Sequence, residues 1–112
     1  MSRVIRQVDH VDDSTIVRLT GEIDLHRSPG FHEDLLEVCA NTSSKLIVDM
    51  ADVNYIDSSG VGTLVDIFRR LHRDKRKMIL MSPSVRVCGV LEITKLDRFF
   101  TITATEQEAR RA

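Results

Sequence analysis

The chain has 112 residues, 42% of them hydrophobic and 29% charged, with a formal net charge of −1 at pH 7. That length fits one domain, expected to span residues 1–112, with a core that needs neither metal nor disulfide. A charge this close to neutrality excludes bulk electrostatic binding to nucleic acid or an anionic membrane, and no stretch reaches the ~18 apolar residues of a membrane span. With four Phe, one Tyr and no Trp, the core is expected to be aliphatic. Behind Met1-Ser2-Arg3-Val4-Ile5-Arg6 there is no apolar signal core, so the chain reads as cytoplasmic.

Val4, Arg6 and Val8 alternate with Ile5 and Gln7, which predicts a short first strand at a sheet edge. Asp9, Asp12, Asp13 and Ser14 mark a turn. In the second strand Val17, Leu19, Gly21 and Ile23 point one way, and Arg18, Thr20 and Glu22 the other. The short connection makes these strands an antiparallel pair, and Asp24-Leu25-His26-Arg27 follows as a loop. Ser28-Pro29 reads as an N-cap and a first-turn proline, opening a helix with Phe31, Leu35, Leu36, Val38 and Cys39 as its apolar stripe. Asn41-Thr42-Ser43-Ser44 ends it. Lys45 to Asp49 is predicted as the third strand, with Leu46, Ile47 and Val48 buried. Val61, Leu64, Val65, Phe68, Leu71 and His72 recur at helical spacing, which predicts a helix from about Ser59 to Asp74. Met78 to Met81 is the fourth strand. Ser82-Pro83 repeats the cap-plus-proline start, for a helix through Val85, Val87, Val90 and Leu91. Phe99 to Thr103 is the last strand, and Thr105-Glu106-Gln107-Glu108 has capping-box spacing for a short final helix.

The order β-β-α-β-α-β-α-β-α implies an α/β fold: a mixed, mostly parallel sheet with an N-terminal antiparallel hairpin and packed helices. The chain is organised around Asn54-Tyr55-Ile56-Asp57-Ser58-Ser59-Gly60-Val61-Gly62, which joins an apolar strand to the longest amphipathic helix. Asp57, Ser58 and Ser59 are all good N-cap types. A helix start carries partial positive charge and unpaired amides, so a serine there tolerates phosphate. The site would also lie near the carboxyl end of a strand, where open α/β sheets place functional groups. The plain alternative is that both serines only cap the helix.

Enzyme chemistries find little support. Gly60-x-Gly62 lacks the lysine and loop length of a phosphate-binding loop, and neither Ser58 nor Ser59 sits in a Gly-x-Ser-x-Gly elbow. His10, His26, His32 and His72 are scattered, and no pair has the i, i+4 spacing of a zinc helix. Cys39 and Cys88 match no zinc or redox spacing and read as buried, reduced thiols. Asp24 and Asp57 both follow strands and could meet, but a carboxylate pair is too common to indicate acid–base catalysis. The basic run Arg69, Arg70, Arg73, Lys75, Arg76 and Lys77 complements the dipole at a helix end, without the interleaved aromatics of a nucleic-acid site. No catalytic residue, metal or cofactor is assigned.

Two segments, Arg18-Leu19-Thr20-Gly21-Glu22-Ile23-Asp24 and Leu46-Ile47-Val48-Asp49-Met50 through Asp57-Ser58-Ser59-Gly60-Val61-Gly62, together resemble a STAS domain of bacterial anti-sigma factor antagonists. The later Met81-Ser82-Pro83-Ser84-Val85 step fits as well. The resemblance implies a non-enzymatic regulatory protein. Unphosphorylated, it would bind an anti-sigma factor that is also a serine kinase, and so release a sigma factor. Phosphorylation would break the complex, and a serine phosphatase would reset it. The acceptor position matches Ser58. Asp24, Asp57, Ser59, Gly60 and Gly62 match the surrounding partner-binding positions. A constitutive STAS-like subunit of a lipid-transport ABC system is the rival within the fold. Arg27-Ser28-Pro29-Gly30 and Asp74-Lys75-Arg76-Lys77 depart from the usual pattern.

Overall fold

The computed structural model describes residues 3–112. Its elements are β1 (Ile5–Val11), β2 (Ser14–Ile23), α1 (Ser28–Ala40), β3 (Lys45–Ile56), α2 (Ser58–Arg73), β4 (Lys77–Met81), α3 (Val85–Ile93), β5 (Thr101–Thr103) and α4 (Glu106–Arg111). The strands form one sheet in chain order, β1-β2-β3-β4-β5. β1 and β2 are antiparallel, and every later pairing is parallel. The expected mixed α/β architecture is therefore present.

Because the parallel strands follow one another in order, right-handed crossovers carry α1, α2 and α3 to one face of the sheet. That face is the main core. Val17, Val48 and Leu80 occupy one register line across β2, β3 and β4, and they pack under Phe31, Leu35, Leu64, Ile67 and Leu91. On the opposite face Ile16, Ile47 and Ile79 occupy the next line, covered by Ala109 of α4. The three-residue run Leu46-Ile47-Val48 is buried on both sides, which is why it reads as a continuous apolar stretch.

Several boundaries differ from the sequence reading. β3 runs to Ile56, not Asp49. Against β2 it carries an extra residue twice, opposite Arg18/Thr20 and opposite Gly21/Glu22. Each bulge changes the spacing of core-facing residues from two to three, so Met50, Val53 and Ile56 fill the core without alternating. Gly21 takes the positive φ of 79° at the second irregularity. Asp9 lies inside β1, and the turn is Asp12-Asp13, with Asp12 left-handed. Ser28 does not cap α1. The cap position is Arg27, whose side chain makes no capping bond, and the turn is held instead by Asp24. α2 starts at Ser58 rather than Ser59 and ends at Arg73. α3 is capped by Ser84, whose Oγ accepts from Val87 N at 3.2 Å, rather than by Ser82. Ser82 instead donates to Ala104 O at 2.7 Å and pins the end of β4 beside β5. Phe99 and Phe100 precede β5 and join Phe68 in an aromatic cluster with centroids 4.5–5.9 Å apart. Cys39 is buried as expected, Cys88 is half-buried, and both are free thiols.

Candidate functional site

The site forms where β2 and β3 end together. Ile23 and Ile56 are register partners, so Asp24 and Asp57 leave the sheet side by side. Asp57 N donates to Ile23 O at 3.2 Å, which ties the two exits. Gly60 sits directly above this pair. A Cβ there would lie 2.6 Å from Ile23 Cγ2, 2.8 Å from Ile56 Cγ1 and 3.0 Å from Ile23 O. Gly60 is therefore a requirement of close packing between helix and strand ends. Gly62 is different: it is exposed, and an added Cβ would meet nothing within 4 Å.

Asp57 is the N-cap of α2. Its carboxylate accepts from Ser59 N at 3.0 Å and Gly60 N at 3.4 Å, and from the Ser59 hydroxyl. Its carbonyl accepts the first helical bond, from Val61 N at 3.0 Å. The Ser59 hydroxyl, with the amides of Gly60, Ser59 and Leu25, holds the Asp57 carboxyl below the usual carboxylate range. Asp24 has a separate set of donors: His26 N at 3.1 Å, Arg27 N at 3.0 Å and Arg27 Nη1 at 2.8 Å. The two acids are neighbours with different duties, one capping α2 and the other folding the turn into α1.

Ser58 occupies the first helical position with its side chain exposed, and among the described residues its Oγ has no hydrogen-bond partner. Ser59 is half-buried. Its hydroxyl meets Asp57 and, at 2.9 Å, the hydroxyl of Ser28. The structure thus brings Asp24, Asp57, Ser58, Ser59 and Gly60 to one pole of the molecule, with Gly62 on the next turn.

Two residues of this pole escaped the sequence reading. Leu25 is 70% exposed and Tyr55 is 41% exposed, both immediately beside the acidic exits. Leu25 lies in a segment read only as a loop, and Tyr55 in the stretch read as joining a strand to the longest helix. Burial alone reveals them, because an apolar residue in sequence carries no sign of whether it faces water. A cleft of ≈500 Å³ between β1 and α1, lined by Ile5, Val8, His10, Glu37 and Val38 among others, shares no residue with this pole.

Among the described residues no histidine joins Ser59 and Asp57 in a nucleophile–base–acid array. His32, within α1, bonds Asp66 at 2.7 Å and braces α1 against α2. Among the described residues no group of three or more His, Cys, Asp or Glu is placed to hold a metal ion. Among the described residues, too, no helix is long and apolar enough to cross a membrane. The basic run is partly structural: Arg76 donates to Cys39 O at 2.7 Å and Thr42 O at 3.0 Å, closing the end of α1. Arg70 pairs with Asp66 at 2.9 Å.

A five-stranded sheet with an antiparallel opening pair, three helices on one face and a serine at the α2 start defines a known class. The chain matches the STAS domain family over residues 4–109 and belongs to it. The anti-sigma-B factor antagonist of Listeria monocytogenes is 31% identical over 103 residues, covering 92% of this chain and 87% of that protein. A candidate anti-sigma factor antagonist from Thermotoga maritima superposes with a TM-score of 0.88 at 27% identity, covering 94% of this chain and 91% of that one. The anti-sigma factor antagonist SpoIIAA in its unphosphorylated form gives a TM-score of 0.77 at 26% identity, with coverage of 93% and 91%. The Bacillus cell fate determinant SpoIIAA in phosphorylated form gives 0.70 at 25% identity, with coverage of 94% and 96%. These relatives are regulatory proteins of the antagonist type.

Proposed function

We propose that this chain is an anti-sigma factor antagonist switched at Ser58. Unphosphorylated, it binds an anti-sigma factor that is also a serine kinase, and the sigma factor is released. The kinase then phosphorylates Ser58 and the complex separates, and a serine phosphatase restores the binding form. All of this takes place in the cytoplasm. The observation that carries the reading is the division of labour at the start of α2. Asp57 and Ser59 provide the cap, and Ser58 is left exposed and, among the described residues, without a hydrogen-bond partner.

The partner surface is the pole formed by Asp24, Asp57, Ser58, Ser59, Gly60 and Gly62, widened by the exposed side chains of Leu25 and Tyr55. Apolar residues beside an acceptor suit such a switch. Docking removes water from them, whereas a phosphate of about −1.5 to −2 charges in the same patch has to be desolvated beside Asp57. That SpoIIAA is known in both phosphorylation states with folds similar to this chain supports a change of surface over a change of fold.

The test is capture from the source organism's lysate with wild-type and Ser58→Glu baits, with mass spectrometry of the bound proteins. Wild type should retain a kinase-type ATPase able to phosphorylate it, and the Glu bait should lose that protein. Retention of the same transporter components by both baits would overturn the switch in favour of a constitutive ABC-type subunit.

A further inference from the structure

The adjacent serines at the start of α2 offer two hydroxyls to any kinase that docks there. Their surroundings are opposite. Ser58 Oγ is exposed and, among the described residues, unbonded. Ser59 Oγ stands in a chain of hydrogen bonds whose direction follows from proton count. Its single proton is donated to Asp57 Oδ1. Across the 2.9 Å contact with Ser28, the proton must therefore come from Ser28. The chain runs Ser28 O–H to Ser59 O–H to the Asp57 carboxylate.

Resting on the switch proposed above, we infer that Ser28 withholds Ser59 from phosphorylation, so that Ser58 is the sole acceptor. Ser28 acts here as a positioning residue, in the first turn of α1 and 31 residues from the serine it governs.

Transfer to Ser58 forms an Oγ–P bond as the bond from the γ-phosphorus to the bridging oxygen of the kinase's nucleoside triphosphate breaks. The diphosphate leaves with that electron pair, and the serine proton passes to a base on the kinase. The same step at Ser59 would require its hydroxyl to swing away from Asp57 toward an incoming phosphorus, which breaks the bond from Ser28 as well. Ser28 is only 6% exposed, so water could not readily replace Ser59 as its partner. Asp57 is poorly suited to activate Ser59 as a base. Its carboxyl is held below the usual range, and two backbone amides already share the oxygen that faces Ser59.

Two measurements decide the matter. Phosphosites are mapped by mass spectrometry after incubation with ATP and the kinase that wild type captures. Wild type should carry phosphate on Ser58 alone, and Ser58→Ala should carry none. Ser58→Ala combined with Ser28→Ala should gain phosphate on Ser59, and Ser28→Thr in place of Ser28→Ala should suppress it again. Phosphate on Ser59 in the Ser58→Ala single variant would overturn the inference while leaving the switch intact. Wild type without phosphate would remove the switch, and the acceptor assignment with it. The second measurement is NMR exchange of the serine hydroxyl protons in the free protein, which needs no kinase. Ser59 should exchange slowly, and Ser28→Ala should speed it by about tenfold, the worth of one hydrogen bond. Exchange at Ser59 as fast as at Ser58 would overturn the lock whatever the kinase does.

Discussion

The Asp57 carboxylate occupies the anion position at the start of α2. A helix start is favourable to phosphate because its first amides are free. Here Ser59 N and Gly60 N already point at Asp57, so a phosphate on Ser58 adds charge beside a carboxylate and gains little from the cap. The depressed Asp57 carboxyl makes the cap pH-sensitive. Its folded pKa lies below its unfolded value, so its contribution is present above the ordinary carboxylate pKa and is lost as pH falls through the folded value. Denaturant titrations from neutral pH to about pH 3 should therefore show wild type losing more stability than Asp57→Asn, which keeps a capping side chain without the charge. The two glycines should also separate. Gly60→Ala forces a Cβ against Ile23 and Ile56 and should cost about 1–3 kcal/mol in chemical denaturation. Gly62→Ala meets nothing and should stabilise the helix by about 0.5–1 kcal/mol, while weakening capture of the partner if that face docks.

Among the elements, α4 depends on a residue that the sequence pattern passed over. Arg18 was legible only as an outward-facing position of β2. In the fold it donates to Asp9 at 2.9 Å, Asp49 at 3.0 Å and Glu106 at 3.1 Å, joining β1, β3 and α4. Asp49 is 7% exposed, so Arg18→Ala would leave its charge buried without its cation, with the Ala51 amide at 3.0 Å as its remaining donor. Thermal and denaturant unfolding should show a loss on the order of 3 kcal/mol, with faster amide exchange in α4. Arg18→Lys should recover part of it, since one ammonium cannot span three acids in the guanidinium's fork. Period and capping made α2, the parallel strands and the acceptor loop readable, because these depend on neighbours within a few residues. The second half of β3, residues 50–56, was hidden, since two bulges removed the alternation that marks a strand. The caps at Ser28 and Ser82 were misplaced because serine followed by proline is a local signal. Asp24 and Ser84 hold those turns in the folded chain. The Ser28–Ser59 bond joins separate helices, and no pattern in the sequence announces it.

For the molecule as a whole, the carboxyl ends of β2 and β3 set the acceptor on rigid support, with the main core directly beneath Ile23 and Ile56. Phosphorylation takes the net charge from −1 to roughly −3 and should leave that support unchanged. Amide exchange of Ser58-phosphorylated protein should differ from unmodified protein only around Leu25 and residues 55–62, and wholesale change across the sheet would refute a surface switch. The most direct test of the central claim is the affinity of the captured kinase for the chain with and without phosphate at Ser58, measured by calorimetry with phosphoserine installed during synthesis. The account predicts at least about a hundredfold loss of affinity, near 2.7 kcal/mol, on phosphorylation. Equal affinity for the two forms would contradict it.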